Sequence, residues 1–93
     1  MLTWPDPKDP DEVLDYQFDW GGQRLELDET LVSSTVTVVS GGIEVDRVSD
    51  NGKIVTFWVT GGSPGEACEV LCRVTTSKER IYDQTGRLRV RSR

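Results

Sequence analysis

Apolar and polar residues alternate along most of this chain, and that alternation predicts strands. The clearest stretch is residues 53–77, KIVTFWVTGGSPGEACEVLCRVTTS. Read at period two, Val55, Phe57 and Val59 share one face, and Ile54, Thr56 and Trp58 share the other. Beyond a glycine-rich break at 61–65, Cys68, Val70, Cys72 and Val74 face one way and Glu69, Leu71, Arg73 and Thr75 the other. The spacing predicts a β-hairpin turning at 61–65, with Phe57 and Val70 inward on paired strands. A lone hairpin is only marginally stable, so other segments must cover its apolar face.

Residues 13–20 alternate in the same way, with Leu14, Tyr16, Phe18 and Trp20 against Val13, Asp15, Gln17 and Asp19. They predict a strand ended by Gly21-Gly22. Residues 24–27 extend it or form a short strand, and Asp28-Glu29 is a turn. Residues 31–39 are β-branched or serine almost throughout, with a phase change near Ser33-Ser34 that suggests a bulge. Residues 43–48 follow. Asp50-Asn51-Gly52 then predicts a two-residue type I′ turn into the next strand, because Asn-Gly supplies the positive φ angles that turn needs. Ser77-Lys78-Glu79 and Gln84-Thr85-Gly86 read as further turns. Residues 87–91 form a last strand, with Leu88 and Val90 inward and the arginines outward.

No segment reads as a helix. About seven short strands with regular turn signals predict an all-β fold, an antiparallel immunoglobulin-like β-sandwich. Residues 1–10 stand apart, because Pro5, Pro7 and Pro10 remove amide donors and favour extended geometry. They read as an extended arm, not a packed element, in front of a single domain at 11–93. Trp4 in that arm needs a cover. It folds back on its own domain, docks on a partner, or stays disordered.

Composition narrows the function. The 93 residues are 35% hydrophobic and 29% charged, with a net charge of −5. A domain this small is short of core, and a partner is expected to contribute to its stability. The negative balance argues against binding nucleic acid through phosphates. The charge is uneven, acidic in front and basic behind, so the ends can attract each other or unlike patches on neighbours. Arg87, Arg89, Arg91 and Arg93 make a one-sided basic stripe. It reads as a solvated edge strand or as an ionic contact with an acidic neighbour, and nucleic acid is the lesser alternative. No apolar run reaches the roughly 20 residues of a membrane span, and the N-terminus lacks the basic and apolar regions of a signal peptide. Synthesis in a cytoplasm without secretion is expected.

Candidate chemistry is sparse. The chain has no histidine, so the usual general base, nucleophile partner and zinc ligand are missing. Cys68 and Cys72 lie four apart on one strand, about 13 Å, too far for a disulfide. They read as buried thiols. Asp46, Asp50 and Asn51, or Asp15 and Asp19, could offer oxygens to calcium, but no calcium-loop motif accompanies them. No catalytic residue, cofactor, metal or small-molecule substrate is assigned.

Several stretches carry a resemblance: Asp15-Tyr16 with Asp19-Trp20, the Ser33-Ser34 strand, WVTGG at 58–62, and RVTTSKER at 73–80. Over residues 11–90 the chain resembles small immunoglobulin-like virion structural proteins of tailed bacteriophages, of the fibre-tail or head-tail adaptor type. Two positions depart from the family's pattern: Glu79, where glycine is common, and Cys68, where an aromatic is. The resemblance implies a non-enzymatic virion protein that bridges tail or neck components in a symmetric multi-copy assembly. A capsid decoration protein and a free binding module outside the virion are the alternatives. Trp4, Pro5 and Pro7 in the arm, with Arg87, Arg89, Arg91 and Arg93, are the expected contacts to other virion proteins.

Overall fold

The computed structural model describes residues 2–22 and 24–92. Among them seven strands form two sheets, and there is no helix. In chain order they are β1 (Leu2–Thr3), β2 (Leu14–Asp19), β3 (Leu31–Ser40), β4 (Ile43–Asp50), β5 (Ile54–Gly61), β6 (Ala67–Thr76) and β7 (Ile81–Arg89). One sheet has the order β1-β7-β6-β3 and the other β2-β5-β4. The sheets face each other as a β-sandwich over one core.

The period-two reading of faces holds. Tyr16 and Phe18 on β2, Val55, Phe57 and Val59 on β5, and Cys68, Val70, Cys72 and Val74 on β6 are all buried. Phe57 stacks on Phe18 at 5.6 Å and on Tyr16 at 5.9 Å between ring centroids. Both cysteines are free, and burial pushes each thiol up to about 11, well away from the reactive thiolate.

Strand partners differ from the expectation in three places. First, residues 61–65 are not a hairpin turn. β5 and β6 lie in different sheets, so this segment carries the chain across the sandwich, and Phe57 and Val70 meet the core from opposite sides. β6 pairs instead with β3 and β7, both antiparallel. Alternation reports which way a side chain faces, not which strand lies beside it. Second, Gln84-Thr85-Gly86 lies inside β7. Third, residues 24–27 form no strand, while Leu2–Thr3 pairs parallel with β7. A parallel bridge joins Lys8 to Val90, so the sandwich is not wholly antiparallel.

The β4–β5 hairpin is present, but its turn is not type I′. Gly52 has φ +93°, whereas Asn51 is not among the non-glycine residues with positive φ. The Asn51 amide donates to Ile54 O at 3.2 Å, and side chains add to this backbone bond. Asn51 Oδ1 accepts from the amides of Lys53 (3.1 Å) and Ile54 (2.9 Å), and Asp50 Oδ1 accepts from Gly52 (3.0 Å). Two of the oxygens considered for calcium are thereby committed to the turn. The bulge expected in β3 appears as register shifts between Leu31 and Ser33 and between Val38 and Ser40. Glu79 has φ +62°, the left-handed geometry that explains why glycine suits this position.

The N-terminal segment, expected as an arm that is not a packed element, is packed. The Trp4 ring lies against Tyr16 (5.1 Å), Phe18 (5.3 Å) and Phe57 (5.8 Å). It covers Gly86, where an added Cβ would collide with the indole. That is the physical reason glycine sits in mid-strand. The fold-back alternative for Trp4 is therefore the one realised.

Opposite charges at the two ends of the sequence do meet within one molecule. The 24–30 loop docks on the β6–β7 turn, where Lys78 pairs with Glu26 and Asp28, and Arg80 with Glu26. Beneath them Glu29 is fully buried. Its Oε2 accepts from Thr76 Oγ1 at 2.6 Å, and its Oε1 accepts from the Glu26 amide at 3.1 Å. The Thr76 hydroxyl, more than any other contact, holds this carboxyl below its ordinary value.

Two outcomes follow from these contacts. Gly86→Ala should destabilise the wild type by about 1–3 kcal/mol through overpacking, and by much less in a Trp4→Ala background. Denaturant titrations of the four proteins check this, and strictly additive losses would contradict the close approach. A carboxyl with a depressed folded pKa stabilises above its unfolded value, here 4.5, and that contribution is lost as pH falls through the folded value. Melting curves should therefore show wild type losing more stability than Glu29→Gln on acidification below about pH 4.5.

Candidate functional site

The sequence assigns partner contacts to two segments, and the structure places them on two distinct surfaces. Residues 4–8 run beside β7. The Trp4 amide donates to Arg87 O at 3.0 Å and the Lys8 amide to Arg89 O at 2.8 Å, and Arg91 N donates back to Lys8 O at 2.8 Å. Lys8 is fully buried, and its ammonium donates to the carbonyls of Asp9 and Gly61, both at 2.8 Å. A buried ammonium must be hydrogen-bonded, so these contacts tie the segment to the end of β5. Nothing in the local sequence marks Lys8 for this role, because its main partner lies 53 residues away.

Trp4, Pro5 and Pro7 line a groove between this segment and the edge of β2, of about 350 Å³. Leu14 and Tyr16 complete its apolar wall, and Asp6, Glu12 and Asp15 stand in its lining. An adjoining recess of about 500 Å³ shares Trp4, Asp15 and Tyr16 and adds Gln17 and Asp19. β2 is an edge strand, bonded only to β5. Its outward residues Asp15, Gln17 and Asp19 alternate with the buried Tyr16 and Phe18, so one period-two pattern makes both the core face and the acidic rim. The acidic residues of the groove were visible in the sequence. Their convergence on Trp4 was not, because it depends on how residues 4–8 pack.

The arginine stripe is divided in its chemistry. β7 has β6 on one side and β1 on the other, so the stripe is not an exposed sheet edge along its length. Arg87 Nη2 pairs with Glu69 Oε2 across to β6 at 3.0 Å. Arg89 and Arg91 line a separate hollow of about 340 Å³ with Gly65, Glu66, Ala67 and Val90. The Glu66 carboxylate beside them is engaged by the amides of Gly42 (3.0 Å) and Ser63 (3.2 Å), which hold it below its ordinary value. Among the described residues no ion pair reaches Arg89 or Arg91. Arg93 lies outside the described residues.

One surface feature was not anticipated. Arg47 sits in the left-handed region at φ +48°, where the β4–β5 register slips between Asp46 and Ser49. Its guanidinium lies 4.3 Å from the centroid of the outward-facing Trp58 ring. The slip turns Arg47 onto the outer face, where cation–π contact offsets the backbone strain. Among the described residues no three His, Cys, Asp or Glu side chains converge as metal ligands. The surfaces are suited to recognition through aromatic and charged groups.

A family model described as podophage GP4 fiber-tail adaptor protein gp77 matches residues 8–89. The match runs from the buried Lys8 to the last residue of β7 and includes the β2 wall of the groove. Trp4, Pro5, Pro7 and Arg91 lie outside it. No curated protein matches the chain.

Proposed function

Since the chain belongs to the podophage GP4 fiber-tail adaptor protein gp77 family, we propose that it is a non-enzymatic virion protein bridging the fibre to the tail of its phage. The family match over residues 8–89 is the observation that carries this reading. The body suits it physically. It is an elongated sandwich, 43 × 22 × 18 Å, stiffened by two hydrogen-bonded sheets over one core. Such a body can hold neighbours at a set distance without paying the ordering entropy that a flexible linker would.

The contacts to neighbouring virion proteins are assigned to Trp4, Pro5 and Pro7 in the groove and to Arg87, Arg89, Arg91 and Arg93 on the stripe. Trp4 works there in a double role, with one side of the indole on the core and the other in the groove wall. Pro5 and Pro7 limit the unbound conformations, so little is lost when a partner seats on them. Among the described residues no ion pair reaches Arg89 or Arg91, and their charge is available to steer an acidic partner surface. In a small symmetric set of copies, repetition would multiply contacts that are individually weak. The adaptor family favours this over capsid decoration or a free module. Synthesis in the host cytoplasm without secretion accords with the reading.

Particles assembled without this chain should keep filled heads and lose their fibres, scored by electron microscopy. Fibre-bearing particles lacking the chain would overturn the bridging role. In complementation, Arg87→Ser/Arg89→Ser/Arg91→Ser and Pro5→Gly/Pro7→Gly should fold, by circular dichroism, yet enter particles at reduced occupancy. Wild-type occupancy for both would move the contacts elsewhere.

A further inference from the structure

Two stripes of opposite sign remain after the internal charge contacts are made. Arg73, Lys78, Arg80 and Arg87 each hold a carboxylate of the same molecule. Arg89 and Arg91 hold none among the described residues. On the other side, no ion pair reaches Asp6, Asp15 or Asp19 among the described residues, and these three stand around the Trp4 groove. We propose that a second copy of this chain seats its Arg89–Arg91 stripe on the acid-rimmed Trp4 groove. The proposal deepens the adaptor reading by naming one neighbour, the next copy.

Spacing supports the match. Asp15, Gln17 and Asp19 point outward at every second position of β2, and Arg89 and Arg91 stand two residues apart at the end of β7 and just beyond it, about 7 Å. A stripe of period two thus meets a stripe of period two. The floor of the groove supports it as well. Trp4 is only partly buried, and an arginine fits over an aromatic face. The same pairing already occurs inside the molecule, with Arg24 5.1 Å from the Tyr82 centroid and Arg47 4.3 Å from that of Trp58. Because the two patches are different surfaces, the contact repeats from copy to copy, as a ring or a row, or is reciprocated within a pair. Exposed ion pairs are individually weak, so the contact is weak between two free copies and gains from repetition.

The test is exchange of charge on the purified protein. Salt alone is an ambiguous readout, because the net charge of −5 makes copies repel at long range while the stripes attract. Sedimentation velocity should show wild type self-associating at protein concentrations in roughly the 10 µM to 1 mM range. Asp6→Lys/Asp15→Lys should weaken association by about tenfold or more. That result is diagnostic, because the change takes the net charge from −5 to −1 (−5 + 4), and general repulsion alone would make association stronger. Arg89→Glu/Arg91→Glu should weaken it similarly, and an equimolar mixture of the two variants should restore it. If either double variant melts early, Asp15→Lys and Arg89→Glu singly replace them. Wild type that stays monomeric, an acidic-side variant that associates more, or a mixture that fails to recover would each overturn the proposal. The measurement involves no particles, so its failure would leave the fibre-loss result standing.

Discussion

The Trp4 ring, seated on Gly86 and surrounded by Tyr16, Phe18 and Phe57, is the contact on which the arrangement of this protein depends. A two-sheet sandwich of 93 residues has little core, and its sides are open where edge strands fail to meet. Here one open side lies between β1 and β2, the edges of opposite sheets. Trp4 spans that gap. Its ring adds tilted and edge-to-face aromatic contacts, each worth about 0.5–1.5 kcal/mol beyond the area it buries. The backbone on either side of it is pinned to β7, and Lys8 fastens the segment to Gly61. The N-terminal segment is thus part of the sandwich.

How much of this was legible follows from what period two encodes. Alternation separates the two faces of a strand, so the inward sets on β2, β5 and β6 were read correctly from Tyr16, Phe18, Phe57, Val70 and their neighbours. It carries no information about which strand lies alongside. A glycine-rich segment between two such strands therefore looked like a hairpin turn, although residues 61–65 carry the chain between sheets. Gly86 looked like a turn for a related reason. A glycine can be required by its own backbone or by a neighbour's bulk, and here the bulk is Trp4, 82 positions earlier in the chain (86 − 4). Asn51-Gly52 did mark a hairpin, but competing hydrogen bonds from the side chains of Asp50 and Asn51 replaced the expected turn. Lys8 and Glu29 were out of reach, since charged residues are seldom fully buried and their partners are distant in sequence.

The candidate surfaces show the same division. Trp4, Pro5, Pro7 and the arginines were visible as residues without an obvious use. The grouping was not visible: the N-terminal residues join Asp6, Asp15 and Asp19 around one groove, while Arg89 and Arg91 occupy another hollow. Among the described residues, ion pairs within the molecule engage five of the eleven basic residues, Arg47, Arg73, Lys78, Arg80 and Arg87, and Arg89 and Arg91 stay unpaired. Arg89 and Arg91 thereby form a small basic patch on a mostly acidic protein.

On the proposed reading, fold stability and partner contact share the N-terminal segment, and in an adaptor that sharing would fix the bound surface before the partner arrives. A reconstruction of the intact virion tests this most directly. It should show the chain between tail and fibre, with the Trp4 groove and the Arg89–Arg91 stripe at its contacts and Trp4 still seated on Gly86. Density for the chain spread over the capsid surface, or contacts confined to the loops at 24–30 and 77–80, would contradict it.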